Sequence, residues 1–533
     1  MKKLTLIIWL LILSGTILSQ EFYINDIQIQ RKDVFEKDDK DWFFAAPLLN
    51  ALHFKTREYI IRDELLFDEG DPLDPEYLRE TERNLRRTDL FTKVDVTIDS
   101  VGPGLFDVYV TTKDRWSTYP AVLFGTGGGE SNYGGGIQEY NLFGTGTYVK
   151  FEGLHRTENN TGWQGQAALS QRRLFRSELS LDATLLSNKY RTEQAANIMK
   201  PYRTLETKYA YGVHGTNKFG DDFLYKGNER QKLPFHERKA NLWFSKGWWR
   251  KDRVFMTVKA SWEDVQRLDS AYRQAFDNSG SILLNFSSVS RDYYTVKNVD
   301  NYFIADLPVG GYGSATLGKV FPIGSNGESL YYASGHGERS YYKNNLYLYG
   351  KIAGGSGFFG STAKYTYQEF TGIGFYKLNK KHVLTTRIRQ QTVWNWPRLR
   401  QLILDSDYGL RGYKANRFSN DNRIIGNLEY RFYPGFNLWI FDVSGAAFYD
   451  IGTTWDQYTK LKDTKFYSSL GAGLRFHFTK SRSPDHLFRV DLAYNLHDGK
   501  LGGIIFTTKQ LFNAFGSHEF SLPKLLGRAF DYE

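Results

Sequence analysis

Two kinds of apolar pattern divide the chain. Over residues 21–116 the apolar positions recur with strand spacing, then helical spacing, then strand spacing again. Phe22, Ile24, Ile27 and Ile29 open a strand that slips in phase near Asp26. Thr56 predicts the cap of a helix running through Tyr59, Ile60 and Leu65 to Phe67, stopped at Gly70-Asp71-Pro72. Asp74-Pro75-Glu76 opens a second helix to about Arg87, with the acid at the cap and the proline in the first turn. Residues 93–98 and 106–110 alternate strictly about a Gly-Pro-Gly turn and read as a hairpin. The order βααββ describes a small α+β domain. Residues 33–55 are left as an insertion, with a charged run at 36–41 followed by Trp42, Phe43 and Phe44. A stretch of that length reads either as a solvated loop with a satellite aromatic cluster or as a partner contact.

From about Ser117 the period becomes two. Leu179, Leu181, Ala183 and Leu185 alternate with Ser180, Asp182 and Thr184; Val254, Met256, Val258 and Ala260 with Thr257 and Lys259; Phe488, Val490, Leu492 and Tyr494 with Arg489 and Asp491. One face is apolar and the other carries charge, which fits a soluble sandwich as well as a membrane barrel, so periodicity leaves both open. The pattern persists for about 400 residues without a domain break; at about 26 residues per strand and loop it predicts a membrane β-barrel of about 16 antiparallel strands. The barrel is expected over residues 117–512, with a tail over 513–533. Residues 502–512 read as the closing strand, ending on Phe512, with a closing strand near Phe520 as the alternative.

The start of the chain favours export and the barrel. Lys2 and Lys3, an apolar run at 4–13 and small residues at 14–19 predict a secretion signal over 1–20, cleaved near Ser19 or Gln20. That run is too short to span a bilayer, and no later stretch reaches the roughly 18 apolar residues a transmembrane helix needs. A mean hydropathy of −0.49 is compatible with strands that are apolar on one face only. Tyrosine, phenylalanine and tryptophan number 36, 39 and 12, enough for aromatic girdles at both interfaces, and 50 glycines suit close strand packing. With no cysteine, the mature chain is expected to be neither a lipoprotein nor a disulfide or thiolate-zinc protein. The formal charge of +10 favours anionic lipid headgroups but is chiefly solvated surface, and no nucleic-acid partner is expected.

Enzyme signatures are weak. Residues 313–319 come within one residue of a phosphate-binding loop, but Val320 stands where a hydroxyl would hold magnesium and no helix follows. The ten histidines form no metal-binding spacing and there is no G-x-S-x-G, so neither a cofactor nor a metal is expected. The informative stretch is Leu410-Arg411-Gly412-Tyr413, in a loop ahead of a polar run at 416–422 and a strand at 424–432. A guanidinium stays charged and forks onto carboxylates, so it can anchor a loop in a confined polar space, while Gly412 permits the turn beside it. Alternation puts Asn427, Glu429 and Arg431 on one face, and likewise Ala446, Phe448 and Asp450, with Gly452 marking the strand end.

Leu410-Arg411-Gly412-Tyr413 resembles the (Val/Ile)-Arg-Gly-(Phe/Tyr) motif of the BamA-type superfamily of outer-membrane barrels. Glu64-Leu65, residues 69–74, Leu85-Arg86, Leu90-Phe91 and Val94-Asp95-Val96 resemble a polypeptide-transport-associated (POTRA) domain of that family. Residues 140–146 resemble its N-L-F-G-x-G hairpin, and 426–432, 447–452, 470–476 and 489–494 its last strands, in the family's order. The resemblance implies one periplasmic domain ahead of a Gram-negative outer-membrane barrel. Arg411 would be held on the inner wall by Glu429 and Asp450, Phe512 would serve as the terminal insertion signal, and the tail would lie in the periplasm. The implied function is non-enzymatic insertion or translocation of proteins. The clients would be unfolded outer-membrane or secreted proteins, alongside outer-membrane lipids and periplasmic or lipoprotein accessory subunits. Clients would pair with a strand edge of the first domain, and at a weak seam between the first and last barrel strands, near 119–125 and 502–512, would pair with the barrel or disturb the local bilayer. The alternatives are a structural or pore-forming surface barrel, and an outer-membrane enzyme acting on lipids.

Overall fold

The computed structural model describes residues 22–528, apart from 37–45, 128–129, 205–206, 227–228, 249–251, 269–270, 272, 298–303, 325–326, 398–400, 439–440, 479–486, 508–510 and 512–519. The expected signal at 1–20, Trp42, Phe43, Phe44 and Phe512 therefore lie outside the described residues. The chain divides into two compact units, residues 1–119 with 138–149, and residues 120–137 with 150–533.

In the first unit, β1 (Tyr23–Lys32) is followed by α1 (Ala46–Leu52), α2 (Glu58–Arg62), α3 (Pro75–Arg87), β2 (Phe91–Gly102) and β3 (Leu105–Asp114). The sheet order is β1-β3-β2, with β1 parallel to β3 and β2 antiparallel to it. The phase slip in β1 is a register shift between Ile24 and Asp26, which returns Ile27 to the core beside Ile24. The helices cover that face, and Ile61, Leu85, Phe91, Val94, Val108 and Val110 fill the space between. Asp74 caps α3 by accepting the N–H of Glu76 at 2.8 Å, with Pro75 in the first turn.

The first helix departs from the expectation. It spans one turn rather than running from Thr56 to Phe67, and Thr56 does not cap it. Thr56 is fully buried: its N–H donates to Asp114 at 2.6 Å and its hydroxyl accepts from Asn141 at 2.9 Å, so the side chain is used in the core. Within the insertion α1 is an added helix, and Asn50 stitches it to the backbone of Phe35 through reciprocal bonds of 3.2 and 2.8 Å. The 138–149 stretch of this unit carries the Asn141-to-Gly146 turn. Asn141 also accepts from the N–H of Gly146 at 2.8 Å, and Gly144 accepts from Arg57 N–H at 2.9 Å.

Twenty strands close into a barrel. They are β4 (Thr118–Gly127), β5 (Glu130–Leu142), β6 (Thr147–Arg156), β7 (Gly162–Gln171), β8 (Ser180–Asn188), β9 (Arg191–Lys200), β10 (Tyr209–Lys226), β11 (Glu229–Trp248), β12 (Arg253–Arg267), β13 (Ser279–Lys297), β14 (Ile304–Pro322), β15 (Leu330–Lys343), β16 (Leu346–Phe359), β17 (Thr362–Lys377) and β18 (His382–Trp394). After the short pair β19 (Leu402–Leu404) and β20 (Phe418–Asn420), which lies outside the ring, come β21 (Asn422–Leu438), β22 (Phe441–Trp455), β23 (Tyr467–Phe478), β24 (Leu487–Asn495) and β25 (Lys500–Thr507).

The count corrects the expected 16. Tight hairpins use less chain than the assumed spacing: β15 and β16 are joined by Asn344-Asn345 alone, with φ of 51° and 65° as a two-residue primed turn requires. Asp450 also lies inside β22 rather than near its end, because the strand continues through Gly452 to Trp455.

The barrel inverts the burial of a soluble fold. Along β24, Arg489, Asp491, Ala493 and Asn495 are buried while Phe488, Leu492 and Tyr494 are exposed. Along β21, Arg423, Asn427, Glu429 and Arg431 are buried while Leu428, Tyr430 and Phe432 face out. This decides the alternative that periodicity left open, because a sandwich would bury the apolar set. No described helix is long and apolar enough to cross a membrane.

The ladders from β7 round to β25 are long. β21 and β22 pair from Asn422 with Trp455 to Leu438 with Phe441, whereas among the described residues β25 meets β4 only at Phe506 opposite Thr126. Phe124 packs edge-on to Phe506 at 5.6 Å across that closure.

Candidate functional site

The connection between β18 and β21 folds back inside the barrel, with Arg411 as its central anchor. Turns at Gly409 and Gly412, with φ of 109° and 86°, present Arg411 to the inner wall. Arg411 is fully buried. Its Nε and Nη2 donate to the two carboxylate oxygens of Asp450 at 2.7 and 2.8 Å, the forked geometry, and its backbone N–H reaches the same carboxylate at 3.3 Å. Nη1 donates to Glu429 at 2.8 Å and reaches Asp491 at 3.4 Å. The guanidinium lies over the ring of Phe448, 3.4 Å from its centroid.

The alternation of β21 and β22 makes this possible. Asn427 stands opposite Asp450 and Glu429 opposite Phe448, all four side chains pointing inward. Asn427 donates to Asp450 at 2.7 Å and to the carbonyl of Gly409 at 2.8 Å, fixing carboxylate and loop together. The site residues singled out from the sequence are thus adjacent. Leu410 and Tyr413 are buried with Leu404 and Ile425, and the Tyr413 hydroxyl donates to the carbonyl of Ser468 at 3.0 Å.

Sequence reasoning did not assign Asp491 or the outer cations. Arg431 donates to Glu429 at 2.7 Å, Arg475 pairs with Asp491 and lies 3.4 Å from Glu429, and Arg489 lies 3.3 Å from Asp491. Three carboxylates and four guanidinium groups therefore form one buried network. Arg489 and Asp491 shared the polar face in the sequence pattern, so the signal existed; their contact with the loop arginine depends on strand neighbours that one sequence does not specify.

Two further contacts seat the loop. Arg387 holds the carbonyl of Tyr408 at 3.0 Å and the amide oxygen of Asn427 at 2.9 Å. A Cβ on Gly412 would meet that of Ala493 at 3.0 Å, and one on Gly502 would lie 2.6 Å from the Gly412 Cα. The loop therefore rests backbone to backbone on the last strand. Just past β19, burial and the neighbouring charge of Asp407 raise Asp405 to about 6, although its carboxylate accepts N–H groups from Asp407, Tyr408 and Asn416.

The first unit brings a serine, a histidine and an aspartate together. Ser117 lies 3.3 Å from one ring nitrogen of His53, and Asp114 3.1 Å from the other. Ser117 is buried and the same Asp114 oxygen already accepts the N–H of Thr56, so this is a core polar chain that a substrate carbonyl could not reach. The phosphate-loop-like residues 313–319 lie within β14.

The described part of the tail, residues 520–528, departs from the expectation of a periplasmic segment. Residues 520–528 lie against the inner wall of the barrel: Phe520 packs on Tyr202, Trp243 and Phe255, and Leu526 on Tyr367, Val393 and Leu402. Phe520 belongs to no strand, and β25 is the last described strand.

A closed antiparallel barrel with an apolar exterior, a polar buried interior and an inward loop locked by an ion network is a transmembrane β-barrel. Within that class the chain is similar to BamA from Haemophilus ducreyi lacking POTRA domains 1-3, at a TM-score of 0.45 and 14% identity over 91% of this chain and 84% of that one. It is also similar to CdiB from Acinetobacter baumannii (0.42, 13%, 91% and 73%) and CdiB from Escherichia coli (0.43, 11%, 90% and 73%). No protein-family model and no curated protein matches the chain. With TM-scores below 0.5, the assignment of class rests on the barrel's own geometry.

Proposed function

We propose that this chain is a BamA-type barrel of the Gram-negative outer membrane that inserts proteins into that membrane or translocates them across it. The first unit acts as a periplasmic POTRA-like domain. Its outer strand β2, at the edge of the sheet opposite β1, offers unfolded clients a backbone ladder to extend by β-augmentation. The barrel supplies the second pairing surface. The observation that carries this reading is the closure of β25 on β4, which among the described residues pairs only Phe506 with Thr126, whereas β24 and β25 share a long ladder. A seam paired this sparsely among the described residues can separate and present two strand edges to a client at little enthalpic cost. The loop network is positioned to keep the last strands in register while the seam works: Asp491 lies in β24, next to β25, and Gly412 rests on Gly502 of β25 itself. No chemical step is involved, and accessory subunits would deliver clients.

The test is a staple across the seam. The chain has no cysteine, so Thr126→Cys with Phe506→Cys introduces one bridge without background pairing. Client insertion should stop under oxidising conditions and return on reduction. Full activity of the oxidised, cross-linked protein would remove the seam from the mechanism.

A further inference from the structure

A barrel of this circumference encloses a space too wide for wall side chains alone to fill. Part of it is filled by the chain's own residues 520–528, and the contacts have the character of a peptide bound in a receptor. At one end Phe520 enters a box of three rings, with centroid distances of 5.1 Å to Tyr202, 5.9 Å to Trp243 and 5.2 Å to Phe255. The box is braced independently: the Tyr202 hydroxyl donates to Ser245 at 2.9 Å, and Arg253 lies over both Tyr202 and Phe255.

Next along the segment, inner-wall side chains satisfy its backbone. Lys259 donates to the carbonyl of Pro523 at 3.1 Å. The hydroxyl of Tyr332 donates to the carbonyl of Lys524 at 3.4 Å and accepts the N–H of Leu526 at 2.8 Å. Leu525 packs with the cluster of Phe276, Leu283, Tyr332 and Tyr365, and Leu526 with Tyr367, Val393 and Leu402. Gly527 passes so close to Tyr367 that a Cβ would meet the tyrosine Cβ at 2.8 Å. Arg528 pairs with Glu263, which also pairs with Lys239 at 3.3 Å, and reaches Glu237 at 3.9 Å.

The segment crosses from the end of the barrel where β12 begins to the end where β15 begins, and Leu526 packs on the cluster that Leu402 of the inward loop shares with Tyr367 and Val393. Aromatic pocket, backbone hydrogen bonds to side chains, apolar shelves and an acidic terminus for a basic residue are the elements by which an extended peptide is recognised in sequence order.

We infer that the inner wall of β11 to β18 is a binding groove for an extended polypeptide carrying an aromatic residue, two leucines and a basic residue, and that residues 520–528 occupy it in cis as a plug. Passage through the lumen then requires release of this segment, and a transiting polypeptide of the same chemistry competes for the groove. This holds whether or not the protein inserts clients.

Two measurements on the full chain reconstituted in planar bilayers test it. Phe520→Ala with Arg528→Glu removes both ends of the anchor and should raise single-channel conductance several-fold, and a synthetic peptide of residues 520–528 added to that variant should lower it again. Tyr367→Cys with Gly527→Cys should cross-link on oxidation and hold conductance at the low level, with reduction restoring the unlocked behaviour. Heat-modifiable migration on gels separates a folded barrel from a misfolded one. Unchanged conductance in a folded Phe520→Ala/Arg528→Glu variant, no response to the peptide, or absence of the cross-link would each overturn the plug.

Discussion

Replacing Arg411 by alanine isolates the loop anchor. The three carboxylates around Arg411 are not equally dependent on it: Glu429 keeps Arg431 and Arg475, and Asp491 keeps Arg475 and Arg489. Among the described ion pairs Asp450 has Arg411 alone, with Asn427 left as a neutral donor. The substitution therefore strands one buried carboxylate, a loss of about 3–5 kcal/mol where a buried pair is broken from one side. The strand ladders of the barrel are untouched, so the loss falls on loop seating. Since about 1.4 kcal/mol is a factor of ten, the open-loop population should rise by roughly two to three and a half powers of ten. Hydrogen exchange over residues 408–416 in reconstituted protein measures this directly, with heat-modifiability confirming the barrel. Adding Asp450→Ala to Arg411→Ala should recover part of the protection, because the stranded charge is gone. Arg411→Lys should fall between wild type and alanine, keeping the charge without the fork. Unchanged loop protection in a folded Arg411→Ala barrel would refute the anchoring argument.

Three more outcomes follow from the geometry. Gly502→Ala should unseat the loop by about 1–3 kcal/mol, the usual scale for overpacking, because its Cβ would press on the Gly412 backbone; the same exchange assay reads it. Leu492→Arg places a guanidinium on the exposed apolar face and should lower folding stability in lipid by roughly 2–4 kcal/mol if that position is at the bilayer midplane, measured by denaturant titration in vesicles. Asp405 is an acid pushed up to about 6 in the folded loop from its ordinary value of 3.8. The fold therefore favours its protonated form, and loop seating is strongest below the unfolded value, weakens as pH rises towards about 6 and is flat above it. Asp405→Asn should abolish that slope in pH-corrected exchange rates; a slope that survives belongs to another group.

The parts of the fold readable in the sequence are those set by local period. A strand keeps its phase between bulges, so the inward faces of Glu429 and Asp450 follow from counting by two, and Asp74-Pro75 marks its helix because cap and first turn are local chemistry. Thr56 misled because its position suits a cap, while its hydroxyl and N–H are taken by Asn141 and Asp114 from far along the chain. The strand number depends on turn length, and two-residue turns such as Asn344-Asn345 are short against the strands they join. The inward course of residues 520–528 has no period at all: it is fixed by Tyr202, Trp243, Lys259 and Tyr332 on distant strands, which no local pattern connects to it.

The central claim is that this barrel assembles or moves other proteins, and conditional depletion followed by quantitative profiling of the outer-membrane proteome meets it most directly. A broad fall in barrel proteins with their accumulation in the periplasm is the result predicted for an insertase, and loss of one or a few surface proteins the result for a dedicated translocator. An unchanged outer-membrane proteome after complete depletion would contradict both and leave a structural or pore-forming barrel.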